Sequence, residues 1–490
     1  MLNIGPTCCD TLANESHVRI YGCRDRVRAL TSALGSHRSD NPQFPTNYFS
    51  STIQSEPMDR KRRRLLQLAG GSSLAILAGC SSLAESNPGT VAAPFDSQQG
   101  TLVPNEGASS IIAIQSVALA ENGETALIGT FSGDDPHGSL KGEVHVFAQG
   151  TESWTRQTTL APDESHEGDY FGDGVALADN GKTAIIGALS DNNSNGERAG
   201  AVYVFTRSDG SWAQQAKLLP NDGDSGDTFG FAVAVADDGL SVLIGAEHDG
   251  DPNGKGAGSA YVFSRANGSW TQQAKLVPEN GDGGDSFGAS VALSADGTVA
   301  LVGAPQDETP HGNESGSVYV FTYRDGSWIR RAKLVPGDGD SNDNFGSPVA
   351  VTGDGRAALI GAVSDEDSNG KSPGSAYVFI RDSGDWTQQA KLSAENGNEE
   401  EYFGRSVALA DDRSTALIGA YDTGVDTGSM YVFSRSDDSW TQQGKLAPDN
   451  SDHNDAVGLT VALASNGPTA LLGAGWGHGS ENTVAAYVFT

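Results

Sequence analysis

Residues 229–246 read FGFAVAVADDGLSVLIGA and residues 259–277 read SAYVFSRANGSWTQQAKLV. Val233 to Ala236 and Ser241 to Ala246 are runs rich in β-forming residues, and Asp237-Asp238-Gly239 between them is a tight-turn sequence. Ser259 to Phe263 makes a third strand, and Trp270 to Val277 makes a fourth after the turn Ala266-Asn267-Gly268. No segment longer than ten residues carries a 3.6-residue apolar period, so helices have no part in the plan. Four short antiparallel strands without an α-element describe one blade of a β-propeller.

The same unit recurs along the chain. Trp154, Trp212, Trp270, Trp328, Trp386 and Trp440 follow one another at spacings of 58, 58, 58, 58 and 54. Phe-Gly pairs beginning at Phe171, Phe229, Phe287, Phe345 and Phe403 keep the step of 58, and Val457-Gly458 follows after 54. A short apolar run ending in Gly occurs seven times, at Gly129, Gly187, Gly245, Gly303, Gly361, Gly419 and Gly473. The last copy ends at Thr490 with three strands, and Ser97 to Pro104 (SQQGTLVP) matches the fourth-strand sequence Thr271 to Pro278. The fold predicted is therefore all-β: a seven-bladed propeller of four-stranded antiparallel blades, closed by the N-terminal strand pairing into the C-terminal blade. An open solenoid would leave a bare strand edge at each end.

The recurring aromatic residues are expected in the core. Each Phe of a Phe-Gly pair should pack between blades, its Gly taking a conformation that a Cβ forbids. The six Trp are read as wedges between blades, and Tyr203, Tyr261, Tyr319, Tyr377, Tyr431 and Tyr487 as structural residues of the third strand. Two places before each Phe-Gly or its equivalent stands an acid: Asp169, Asp227, Asp285, Asp343, Glu401 and Asp455. One reading is that each carboxylate caps backbone N–H groups of the loop between blades. The other is that oxygen-rich loops such as Asp222 to Asp227 hold a hard cation, Ca²⁺ first among them. No Ser/His/Asp grouping, phosphate loop or Cys/His cluster is present, so no catalytic residues are assigned.

The chain has 490 residues and a formal net charge of -32. Its first eighty residues carry ten basic and six acidic side chains, which leaves 21 against 57 and a net of -36 for residues 81–490. So acidic a surface repels phosphate backbones, which excludes the usual mode of nucleic-acid binding. It self-repels in dilute salt and is tolerated best where salt screens it, as in a haloarchaeal or similarly salt-adapted protein. The four cysteines, Cys8, Cys9, Cys23 and Cys80, all precede the repeats, so a disulfide framework is excluded for the bulk of the chain.

Residues 58–80 read as an export signal. Arg62-Arg63-Arg64-Leu65-Leu66 fits the twin-arginine pattern, and Leu77-Ala78-Gly79-Cys80 resembles the lipobox of bacterial and archaeal lipoproteins, in which the Cys is lipidated. The apolar stretch is too short to span a bilayer, so a dialkyl or diacyl group on Cys80 is the expected anchor. Residues 1–57 read as an upstream mis-translation or a disordered extension, and 81–96 as a flexible tether.

From about residue 97 to 490 the chain resembles the FG-GAP repeat family: Phe287-Gly288 with Gly303-Ala304-Pro305 spells the motif, and other copies give Phe-Gly followed by Gly-Ala. The resemblance implies the seven-bladed propeller of integrin α chains and a role in ligand binding or adhesion. One departure is plain. Integrin-type repeats carry a calcium loop between the first two strands, where this chain has only Asp179-Asn180-Gly181, Asp237-Asp238-Gly239 or Asp296-Gly297, too short to wrap an ion.

The expectation is a monomeric, non-catalytic propeller on the cell surface, held to the membrane by lipid and binding a protein or glycan. The alternatives are a glycan-active hydrolase or lyase, or a calcium-dependent binding protein, using one propeller face. Near-identity between blades argues against an enzyme. The second-to-third-strand connections are four residues shorter after Gly419 and two shorter after Gly473, which marks a binding face near Tyr421 and Trp476.

Overall fold

The computed structural model describes residue 95 and residues 97–490, except 105–110, 133–140, 152, 165, 167, 251, 280, 367–370, 372, 396–400, 422–427, 450–455, 465–468 and 476–483. Cys80, Arg62, Arg63, Leu65, Leu66, Asp455 and Trp476 lie outside the described residues. Seven four-stranded antiparallel sheets follow one another, and no helix occurs among the described residues. Blade three is representative, with strands Val233–Val235, Ser241–Ala246, Ser259–Ala266 and Ser269–Leu276. First strands of neighbouring blades touch in sequence all the way round, and the first strand of blade one (Ile111–Leu119) touches that of blade seven (Val457–Leu463). The ring is closed.

Closure uses the N-terminal strand. Gln98–Leu102 pairs antiparallel with Ala486–Phe489, putting Leu102 opposite Ala486 as Leu276 stands opposite Ala260 in blade three. It even carries the repeat's irregularity. Gln273 is skipped in the register of blade three, between Gln272 and Ala274, and Gln99 is skipped in blade seven, between Gln98 and Gly100. A side-chain latch repeats as well. The Gln272 side chain accepts the Asn221 backbone N–H at 2.9 Å from the segment entering its blade, and Gln98 accepts that of Asp449 at 3.3 Å across the seam.

Hydrophobic cores lie between blades. Phe229 is fully buried and meets Tyr261 and Phe263 edge-on at 5.4 and 6.0 Å, within a cluster that includes Ile185, Val202 and Leu218 of blade two. Trp270 packs half-buried against the same cluster and its indole N–H donates to Gln215 of blade two at 2.7 Å. The expected wedge role of Trp therefore holds in geometry.

The two glycines of the motif explain each other. Gly230 and Gly288 adopt φ of 97° and 94°, open to residues without Cβ. Each also offers its carbonyl to the preceding blade. A Cβ on Gly187 would lie 2.0 Å from the Gly230 oxygen, and one on Gly245 would lie 1.9 Å from that of Gly288. Thus the Gly of Gly-Ala in one blade is demanded by the Phe-Gly of the next. The residue before each Phe is left-handed too, whatever its type: Tyr170, Thr228, Ser286, Asn344 and Tyr402 have φ between 44° and 59°.

Candidate functional site

The antiparallel order puts the connections of each propeller end in separate classes. One end carries the inter-blade segments and the second-to-third-strand loops, and is called here the loop end. The other carries the tight hairpin turns.

At the loop end, the predicted acids are brought into one cluster per blade rather than into a common site. Asp227 is 6 % exposed and its carboxylate accepts the backbone N–H of Asp224 at 2.6 Å. Asp169, Asp285 and Asp343 accept the N–H three residues upstream in the same way, at 2.8, 2.8 and 2.6 Å. This is the capping geometry. Burial, together with a neighbouring carboxylate on the second-to-third-strand loop, pushes Asp227, Asp285 and Asp343 up to about 6.

Those neighbouring carboxylates, Asp191, Asp249, Asp307 and Asp365, were missed by sequence reasoning. Each is buried and accepts the third-strand Tyr hydroxyl, from Tyr203, Tyr261, Tyr319 and Tyr377 at 2.7, 2.6, 2.9 and 2.7 Å. Each also pairs with a fourth-strand Lys: Lys217, Lys275, Lys333 and Lys391 at 2.9, 2.8, 2.7 and 2.7 Å. The ammonium groups stand 5.2 to 5.3 Å from the Tyr ring centres. The signal was available in the sequence: an Asp three residues after each Gly-Ala pair and a Lys five after each Trp.

Blade six shows why its acid is Glu. The position equivalent to Asp365 is Thr423, which offers no carboxylate. The longer Glu401, 1 % exposed, takes the role instead, accepting the Tyr431 hydroxyl and pairing with Lys445 at 2.8 Å. Glu401→Asp should shorten that reach and cost about 1–3 kcal/mol, the penalty of stranding a buried polar group. Glu401→Asp combined with Thr423→Asp should recover most of it. Denaturant unfolding of both variants checks this, and equal stability of the single variant and the parent would refute it. Blade one solves the same problem without charge: buried His145 sits between Thr130 and Thr159 at 3.1 and 3.2 Å, and burial lowers its pKa to about 4.

Nearer the axis at the loop end stand residues that do not repeat. Asp173 follows Phe171-Gly172 in blade two, Arg405 follows Phe403-Gly404 in blade six, and Glu247 follows Gly245-Ala246 in blade three. Burial pushes Asp173 and Glu247 up to about 7, Asp173 being opposed by the charge of Arg405 and Glu247 reinforced by Asp173. Tyr421 stacks on Tyr402, 6.4 Å between centroids and 24° between planes, so it lies at this same end.

At the hairpin end the first turn positions of four blades carry acids that feel one another: Glu121, Asp179, Asp237 and Asp411. Asp179 and Asp237 share a carboxyl–carboxylate hydrogen bond, which requires a proton between them. Burial and like charge raise the Asp179, Asp237 and Asp411 carboxyls.

An acid whose folded pKa is raised stabilises the fold fully below its ordinary range and progressively less as pH climbs through the folded value. The melting temperature is therefore expected to fall by several degrees between pH 5 and pH 8, across the values near 6 and 7 at the loop end. Thermal scans at constant ionic strength test this. A melting temperature that rises over that interval would overturn it.

The FG-GAP repeat family model matches residues 154–205, 212–263, 270–321, 328–379 and 386–433, together more than half of the chain. Among curated proteins the chain is similar to integrin alpha-6 of Gallus gallus, 28% identical over 182 residues, which is 34% of this chain. The match spans 16% of that relative's length. Among solved structures, the Sqt1 protein of Chaetomium thermophilum, bound to the N-terminus of a ribosomal protein, superposes with a TM-score of 0.45 at 14% identity. That superposition covers 74% of this chain and 82% of Sqt1.

Proposed function

The chain belongs to the FG-GAP repeat family, and from that premise we propose that it is a non-catalytic binding or adhesion module of the cell surface, whose loop end takes a protein or glycan partner. What carries the reading is the division of labour at the loop end. The recurring acids, tyrosines and lysines are spent within their own blades, as the clusters around Asp191, Asp249, Asp307, Asp365 and Glu401 make plain. The residues that differ between blades, Asp173, Glu247, Arg405 and Tyr421, gather toward the axis instead. A surface built on repetition and individualised at one end suits recognition. In each of these five blade clusters a lysine ammonium supplies the positive charge that a calcium ion would otherwise bring, which favours calcium-independent binding.

The likeness to an integrin α chain supports an exported protein. The twin-arginine pattern at Arg62-Arg63 and Leu65-Leu66, with the lipobox ending at Cys80, supports a lipid anchor on the outer face of the cytoplasmic membrane. The net charge of -36 over residues 81–490 supports a salt-rich setting. Pull-down from a salt-matched cell-surface extract with residues 81–490, with and without chelator, is the test. Retention of one partner in both conditions, weakened by Tyr421→Ala with Trp476→Ala, is expected. Capture of nothing, or capture abolished by chelator, would sink the respective claim. Mass spectrometry of membrane-extracted protein decides the anchor, since an unmodified Cys80 would refute it.

A further inference from the structure

The axial mouth of the loop end holds three charges that the repeat does not require. At the position of Asp173 and Arg405 the other five blades carry Gln115, Phe231, Ala289, Ser347 and Leu459. At the position of Glu247 the other six carry Phe131, Leu189, Pro305, Val363, Tyr421 and Gly475. Blades therefore form perfectly well with neutral residues at both levels. Blades two and six are three steps apart in a ring of seven, so the charge that Arg405 exerts on Asp173 acts across the axis. Glu247, on blade three, lies on the Asp173 side, for the two carboxyls repel. The result is a dipolar mouth with two acids against one guanidinium. Each charged wall is flanked by aromatic rings: Tyr170 meets Phe131 edge-on at 5.2 Å beside Asp173, and Tyr402 stacks on Tyr421 beside Arg405.

Asp173 accepts no hydrogen bond among the described residues, and the nearest charge of opposite sign that acts on it comes from across the axis. Burying a carboxylate so poorly compensated is costly unless a partner arrives to use it. We infer that this mouth binds a small zwitterion of the amino-acid type, its ammonium group toward Asp173 and Glu247 and its carboxylate toward Arg405, with the side chain or peptide extension against the Tyr402–Tyr421 pair. The inference rests on the loop end being the binding end. Arg is suited to the carboxylate because its planar fork matches two oxygens at once. The two acids face an ammonium rather than a neutral group because only a cation relieves their mutual repulsion.

The probes are free amino acids and dipeptides, each with its N-acetylated and its C-amidated analogue, titrated calorimetrically into the propeller at the salt concentration that keeps it folded. At least one zwitterion should bind and raise the melting temperature. Acetylation, which removes the ammonium, and amidation, which removes the carboxylate, should each weaken binding at least tenfold. Asp173→Asn and Arg405→Gln should do likewise while Ser347→Ala, at the same level of the ring, should not. The blocked analogues decide the matter on the parent protein even if a variant fails to fold. Absence of binding by every zwitterion, or blocked analogues that bind as well as their parents, would overturn the inference. If the Asp173→Asn, Arg405→Gln double variant still captures the surface partner while no zwitterion binds the parent, the zwitterion site falls and the binding module stands. If the parent captures nothing, the broader reading fails.

Discussion

Gly245→Ala is expected to destabilise the propeller by about 3 kcal/mol or more, a large effect for a single added methyl group. The new Cβ would stand 1.9 Å from the carbonyl oxygen of Gly288, backbone of the next blade that has no rotamer to yield. Relief requires the two blades to part, and that strains a closed ring at every other interface. Gly444→Ala is the matched control. It lies in the fourth strand where blade three has Ala274, nothing stands within 4 Å of its would-be Cβ, and its backbone is not left-handed. That variant should be neutral or slightly stabilising, because Ala loses less chain entropy on folding than Gly. Chemical denaturation of the pair measures the difference. Should Gly245→Ala unfold at the same denaturant concentration as Gly444→Ala, the glycine-to-glycine contact would not be what spaces the blades.

Removing the closing strand is expected to have an effect of comparable size with a different signature. A chain beginning at residue 105 lacks Gln98–Leu102, so Ala486–Phe489 becomes an unpaired edge. Leu102, 1 % exposed in a cluster with Ile128, Leu471 and Val488, is lost with it. Burial of Leu102 alone is worth about 2–5 kcal/mol by the usual cost of truncating a core leucine. The bare edge also invites pairing between molecules. The shortened protein should melt at least 10 °C lower and associate with time. A synthetic peptide spanning residues 95–104, added in excess, should restore both properties by mass action. Unchanged melting of the shortened chain, or no response to the peptide, would show that the seam is not held by this strand.

Much of this architecture was legible along the chain because a repeat reports its fold many times over. Period, turn residues and the absence of a helical pattern settled the blade, and the orphan SQQGTLVP segment predicted the seam. Even the skipped glutamine, Gln99 for Gln273, follows from that match. The acids before Phe-Gly were found as a series, and capping proved to be their geometry. Their partners were equally periodic but went unread, since nothing in the spacing says that an Asp after Gly-Ala, a Tyr and a Lys from three different segments meet. Glu401 is the sharpest instance: its extra methylene makes sense only once Tyr431 and Lys445 are seen to converge on it.

The sequence by itself determined the number of blades, their strand order and the way the ring closes, because these depend on local strand and turn chemistry repeated at a fixed interval. The tertiary structure alone decided what lies across interfaces and across the axis. Gly245 is intolerant of a side chain because of a carbonyl belonging to another blade. Asp173 and Arg405, which looked like unrelated substitutions in near-identical copies, become a pair because a ring of seven brings blades two and six face to face. Charge acts through space, and no periodicity along the chain encodes a distance across its closed circle.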